Sequence, residues 1–140
     1  MSDAEVAVTE QILRAASRTV ALHGVKRASV ASIAQEAGVA RSTVYRAFDT
    51  KEEILSKMIE YEFARFFDEL YGAVGKLRTI DDVMENGLIF AHAAVERHFL
   101  LQAILREDPS VLEPALSASS QAIEPVIAGI FVPYLPDTPE

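Results

Sequence analysis

The chain has 140 residues, a formal net charge of −8 and no cysteine. Its length allows a real core in one or two small domains. With half of its residues apolar and 24% charged, it has the composition of a globular protein and not of a disordered one. The missing cysteines exclude a disulfide framework, a thiolate zinc site and a cysteine nucleophile. The start, Met1 to Val6, is acidic and has no positive patch leading into an apolar run, so it does not read as a signal peptide. The longest apolar stretch, Val126 to Leu135, is far below the roughly 20 residues of a membrane span. A soluble, cytoplasmic protein is expected.

The acidity is uneven. Residues 1–50 hold six Lys or Arg against five Asp or Glu, whereas residues 51–140 hold seven against sixteen. The negative charge therefore weighs against non-specific coating of nucleic acid, but not against a focused patch near the N-terminus.

In chain order, helical spacing dominates and no strand-like alternation is sustained. A first helix is predicted over Thr9 to His23, with Ile12, Leu13, Ala16 and Val20 at helical intervals and Gly24 at its end. After the basic pair Lys26-Arg27, Ser29 caps a short helix, Val30 to Ala37, closed by Gly38. A third short helix follows from Arg41 to Ala47. Thr50 caps a long fourth, Lys51 to Val74, with Glu52 and Glu53 in its favoured first turn. Further helices are predicted over Ile80 to Glu96, His98 to Arg106 and Ser110 to Leu135. Pro109 marks the last junction, and Pro114, Pro125 and Pro133 predict a bent or divided final stretch. The tail from Pro136 to Glu140 is expected to be irregular. The fold class is all-α.

Residues 30–48 read as a helix, a tight turn at Gly38 and a second helix. At ~100° per residue, Val30, Ile33, Ala34 and Ala37 share one face of the first, and Val44, Ala47 and Phe48 one face of the second. The opposite side of that second helix presents Ser42, Thr43, Tyr45 and Arg46, with Arg41 at its flank. Hydroxyls and arginines at the start of a helix suit base edges and phosphates in a major groove. Arg41 opposes the helix dipole, and a phosphate or base partner would explain it. Lys51, at the next helix start, can hold phosphate beside the helix amides. On spacing alone, Arg and Tyr on a helix surface are as readily a plain solvated face.

The run Ile12-Leu-Arg-Ala-Ala16, Gly24, Ser29-Val30, Ile33-Ala34, Ala37-Gly-Val39, Thr43-Val-Tyr45, Phe48 and Lys51-Glu52 closely resembles the N-terminal domain of the TetR (tetracycline-repressor-like) family. The resemblance covers about residues 9–55. It implies that the third helix reads DNA and that Tyr45 and Lys51 contact phosphates, with Phe48 in the core. It also turns Ser29 toward phosphate and makes Arg41, Ser42, Thr43 and Arg46 the base readers or their neighbours. Ala40 departs from the family pattern, which often has a capping hydroxyl there, and this weakens the cap by ~1 kcal/mol. Ala47 stands where a histidine is common.

The resemblance assigns residues 1–50 to a helix-turn-helix domain and residues 51–140 to a helical effector-binding and dimerisation domain. Family dimers are built mainly by two C-terminal helices, and the sequence ends in Pro-Asp-Thr-Pro-Glu140 before such helices. The usual dimerisation helices are expected to be missing, leaving exposed apolar surface on the last helices. Candidate pocket residues are Phe63, Phe67, Met84, Leu88, His92, Phe99 and Ile104, although aromatics at helical spacing are core more often than ligand contacts. His92, Glu96 and the nearby His98 make only a weak metal pattern. No nucleophile elbow, phosphate loop or zinc-protease motif is present, so neither an enzyme nor a cofactor is expected. The resemblance implies a ligand-responsive transcriptional repressor, a homodimer that leaves double-stranded operator DNA when a small apolar effector binds. Two competitors are a non-DNA-binding interaction module that keeps the fold and a small enzyme using the helical pocket.

Overall fold

The computed structural model describes residues 1–134, and among them the fold is all-α. Helix α1 spans Asp3–His23, beginning six residues before the expected Thr9. The cause is a capping box ahead of the apolar pattern: Glu5 N–H donates to Ser2 Oγ at 3.3 Å, and Ser2 N–H to Glu5 Oε2 at 2.7 Å. Its inner face buries Ile12, Leu13, Ala15, Ala16, Thr19 and Val20. The Thr19 hydroxyl is satisfied there by donating to Ala15 O at 2.8 Å. Helix α2 is Val30–Ala37 and α3 is Arg41–Ala47. Gly38 between them takes the left-handed conformation, φ 70°, that closes α2. The Gln11 side-chain amide donates to Ala37 O at 2.6 Å and ties α1 to the end of α2.

Thr50 Oγ1 accepts from Glu53 N–H at 3.1 Å and starts α4, Lys51–Val74. Its 24 residues make a rod of ~36 Å at ~1.5 Å per residue. Ile54, Leu55, Met58 and Ile59 near its start pack into the N-terminal core with Ile12, Ala16, Val20, Ile33, Val44 and Phe48. Helix α5, Ile80–Arg97, packs on α4, and the chain bends by 69° between it and α6, Phe99–Glu107. Leu100 and Ile104 of α6 reach the same N-terminal core.

Pro109–Val111 form a 3-10 turn that leads into α7, Leu112–Phe131, which packs along α4. Of the prolines expected to bend or divide this stretch, Pro133 lies in the 3-10 turn that follows α7, while Pro114 and Pro125 do not divide the helix. Pro114 falls in the first turn of α7, where its missing N–H costs nothing, and the helix continues through Pro125. A second 3-10 turn, Val132–Tyr134, follows, and Tyr134 donates its hydroxyl to Leu77 O. Leu135 and the tail 136–140 lie outside the described residues. A small distal cluster of Val74, Val83 and Ile130 joins α4, α5 and α7. Apolar side chains stay exposed on α5 (Met84, Leu88, Ile89) and on α7 (Leu116, Ile127). Among the described residues no single helix is long and apolar enough to cross a membrane.

The ends of the short helices are where a single change should register. Ala40 occupies the cap position of α3 with extended backbone and no side-chain hydrogen bond. Ala40→Ser should stabilise the chain by ~0.5–1 kcal/mol, and Thr50→Ala should destabilise it by ~1 kcal/mol. Urea denaturation measures both, and equal midpoints for Ala40→Ser and the parent chain would show that α3 takes nothing from its cap.

Candidate nucleic-acid interface and effector pocket

Helix α3 is held by two apolar side chains, Val44 and Phe48, both buried. That anchoring turns the other side outward. Arg41, Ser42 and Arg46 are exposed, Thr43 is half-buried, and Tyr45 is 54% exposed, a large amount for an aromatic ring with no role outside. Ala47 is also exposed and is not part of the inner face, contrary to the helical-wheel expectation. The helix ends at Ala47, and Phe48, in extended backbone, is the buried residue at that end.

Charge separates this face from its surroundings. On α1, Arg14 pairs with Glu10 at 3.3 Å and Arg18 with Glu36 at 2.7 Å. Arg41 and Arg46 make no ion pair among the described residues. Two uncompensated guanidinium groups, two hydroxyls and a phenol thus share one exposed helix. Ser29 sits at the N-terminus of α2, its Oγ accepting from Ser32 N–H at 3.1 Å. Lys51 is less free than expected, because its ammonium donates to Val25 O at 2.8 Å.

Between the helices lies a cavity of about 200 Å³. Its walls are Ile59, Glu62, Phe63 and Phe66 of α4, Ala94 and Val95 of α5, His98, Leu100, Leu101 and Ile104 around α6, and Leu112 of α7. Of the residues expected to line a pocket, Phe63 and Ile104 line this cavity. Phe67 lies outside the lining, edge-on to Phe66 at 5.2 Å. Met84, Leu88 and Phe99 are 47%, 66% and 74% exposed, since α5 and the start of α6 turn these side chains to the outer surface. His92 is exposed too, 3.5 Å from Glu96.

The polar end of the cavity was not anticipated. Glu62 accepts from the Ser17 hydroxyl at 2.7 Å and faces His98 Nε2 at 3.5 Å. His98 Nδ1 accepts from Leu101 N–H at 3.3 Å and so caps α6. His98 is thereby turned from the His92–Glu96 pair toward α4. Its hydrogen bond, then that of Ser17 and the nearby Arg65 charge, hold the Glu62 carboxyl below its ordinary range, against the opposing effect of burial.

Residues 12–58 match the family model described as bacterial regulatory proteins, tetR family. This N-terminal unit, about a third of the chain, is thus similar to the tetR family of bacterial regulatory proteins. An uncharacterized HTH-type transcriptional regulator of Haemophilus influenzae is 34% identical over 70 residues, 50% of this chain and 37% of that protein. The fatty acid metabolism regulator protein of Bacillus subtilis is 30% identical over 95 residues, 66% of this chain and 44% of that protein. The chain thus spans less than half the length of these two relatives. Among solved structures, the regulator FadR from Bacillus subtilis in complex with stearoyl-CoA matches with a TM-score of 0.68 and 18% identity, over 93% of this chain and 75% of that one. The all-α fold shared with that structure therefore extends past the helix-turn-helix into the cavity-bearing helices.

Glu62 ties α4 to α1 through Ser17 and to α6 through His98, so its ionisation should count in stability. A carboxyl with a folded-state pKa below its ordinary 4.5 stabilises fully above that pH and ceases to as pH falls through the folded value. The parent chain should lose stability below about pH 4.5, and Glu62→Gln should lose less over that window. Parallel acid limbs in urea titrations of the two proteins would contradict this.

Proposed function

We propose that the chain is a ligand-responsive transcriptional regulator, a cytoplasmic repressor that binds operator DNA as a homodimer and leaves it when a small apolar effector occupies the α4–α6 cavity. The observation that carries the DNA reading is the unpaired face of α3 within a matched tetR-family unit. In this reading Arg41, Ser42, Thr43 and Arg46 meet base edges or flanking phosphates, and Tyr45 and Ser29 hold phosphate. Lys51 adds a phosphate contact with the ammonium donors left over from Val25. Residues 1–50 carry DNA recognition and residues 51–140 the effector and pairing roles. This is a division of roles rather than of packing, since α6 enters the N-terminal core.

Support for an effector comes from the cavity, whose walls are apolar apart from Glu62 and His98. A fold neighbour holding stearoyl-CoA, whose chain is apolar, points the same way. Two α3 helices one DNA turn apart, ~34 Å, suit a dimer. An occupant that prefers one arrangement of α4 and α6 shifts the separation of the two DNA-reading units and lowers operator affinity by linkage.

Fluorescence anisotropy against the DNA flanking the chain's own gene tests the DNA reading. Specific binding should fall steeply with salt. Arg46→Ala should cost ~1–3 kcal/mol and relax sequence preference if it reads a base, whereas Tyr45→Ala should weaken all sequences alike. A dimeric, folded protein whose Arg46→Ala and Tyr45→Ala forms bind like the parent chain would sink the assignment and favour an interaction module on the same fold.

A further inference from the structure

The peptide unit joining Val25 to Lys26 lies in the α1–α2 loop, just ahead of Ser29, and is gripped from both ends. Its carbonyl accepts from Lys51 Nζ at 2.8 Å, and its N–H donates to Glu107 Oε2 at 3.3 Å. An ammonium meets the oxygen and a carboxylate meets the N–H, so both charges are matched to the peptide dipole. Lys51 opens α4 and Glu107 closes α6. Two helices that wall the cavity therefore meet on one peptide of the loop that leads into α2.

Glu107 is badly placed for its own helix. A carboxylate at the last residue of α6 opposes the helix dipole, so its position is explained by what it touches. Lys26 and Arg27 give the loop positive charge, and the carboxylate lies directly over Gly24. A Cβ at position 24 would stand 1.8 Å from Glu107 Oε1, and the φ of 87° there already disfavours a side chain. The loop thus leaves room at Gly24 for a carboxylate arriving from a residue more than eighty positions away.

The same nine-residue helix lines the cavity with Leu100, Leu101 and Ile104, the last of these one turn before Glu107. A short rigid helix with a cavity wall at one part and a loop clasp at its end links the two. We propose that Glu107 is a positioning residue for DNA recognition: through the Val25–Lys26 peptide it fixes the start of α2, and displacement of α6 by a cavity occupant loosens that hold. The second half rests on the effector-cavity reading, and the first half does not.

The full chain tests both halves. NMR amide exchange at Lys26 is read without DNA, and anisotropy with the gene-flanking DNA is read beside it. Glu107→Ala should speed Lys26 exchange roughly tenfold, the effect of one modest hydrogen bond, and weaken DNA binding several-fold, with the α1 core amides of Ile12 to Ala16 unchanged. Glu107→Gln keeps an acceptor oxygen at the same reach and should restore most of both, while the shorter Glu107→Asp should not. Ala94→Phe fills the cavity in place of an effector. It should weaken DNA binding of the parent chain and add little when Glu107 is already Ala.

Unchanged Lys26 exchange and DNA affinity in Glu107→Ala would overturn the positioning role. Equal effects of Ala94→Phe with and without Glu107 would overturn the route from cavity to loop. If Ala94→Phe leaves the parent chain's DNA binding intact while Glu107→Ala weakens it, the cavity reading fails and the positioning role stands.

Discussion

Ile54, Leu55, Met58 and Ile59, in the first turns of α4, are buried against Ile12, Ala16 and Val20 of α1, and Leu100 and Ile104 of α6 complete the same cluster. Each such side chain stabilises the fold by ~1.5–3 kcal/mol through burial. Withdrawing the start of α4 would therefore take a large share of the ~5–15 kcal/mol by which a domain is stable at all. The start of α4 is bound to move with the helix-turn-helix unit as one body. Much else follows from that constraint, because the α4 and α6 walls of the cavity, the Glu62 contacts and the Glu107 clasp all lie on helices with one end in this core.

Electrostatics divides the chain in a second way. The acidic excess sits beyond residue 50, and the N-terminal unit is close to neutral. Near-neutrality alone would make a poor DNA ligand. The pairing of Arg14 and Arg18 with glutamates on the α1 side, and the lack of such pairing at Arg41 and Arg46, leaves the available positive charge on α3 and on the Lys26-Arg27 loop. In the proposed DNA complex the acidic helices beyond would repel DNA from other faces and favour one docking orientation.

Helix positions were largely legible because their ends are local chemistry. Ser29, Gly38 and Thr50 each act through hydrogen bonds or a left-handed backbone within three or four residues. The early start of α1 was legible in the same terms, as Ser2 followed by Glu5, but lay ahead of any apolar rhythm and escaped a reading keyed to periodicity. The outward face of α3 followed from the inward pull of Val44 and Phe48, although Ala47 did not. The cavity was legible only in part. Periodicity gives a helix an apolar stripe without saying what covers it, and α5 leaves Met84 and Leu88 in the open while α4 turns Phe63 inward. Glu62 and His98 meet across 36 positions, and Glu107 meets the Gly24–Lys26 loop across 81. Such pairings depend on how whole helices cross, which no local pattern records.

The two ends of α4 are held unequally. Its start lies in a large core, while among the described residues its far end rests on a cluster of Val74, Val83 and Ile130 with half-buried neighbours. Regions with fewer buried contacts give way at lower cost, and among the described residues the distal end has fewer than the start. In an isolated chain, an occupant pressing α4 and α6 apart would be relieved at that distal end, and little would reach α3. Pairing of the distal helices with a second copy would remove this relief. With the far ends fixed, the displacement has to be taken up by α6 and the loop it clasps, and the two α3 helices turn relative to each other. In the proposed mode of action, dimerisation would then serve the response itself, over and above what a second half-site would add to operator affinity.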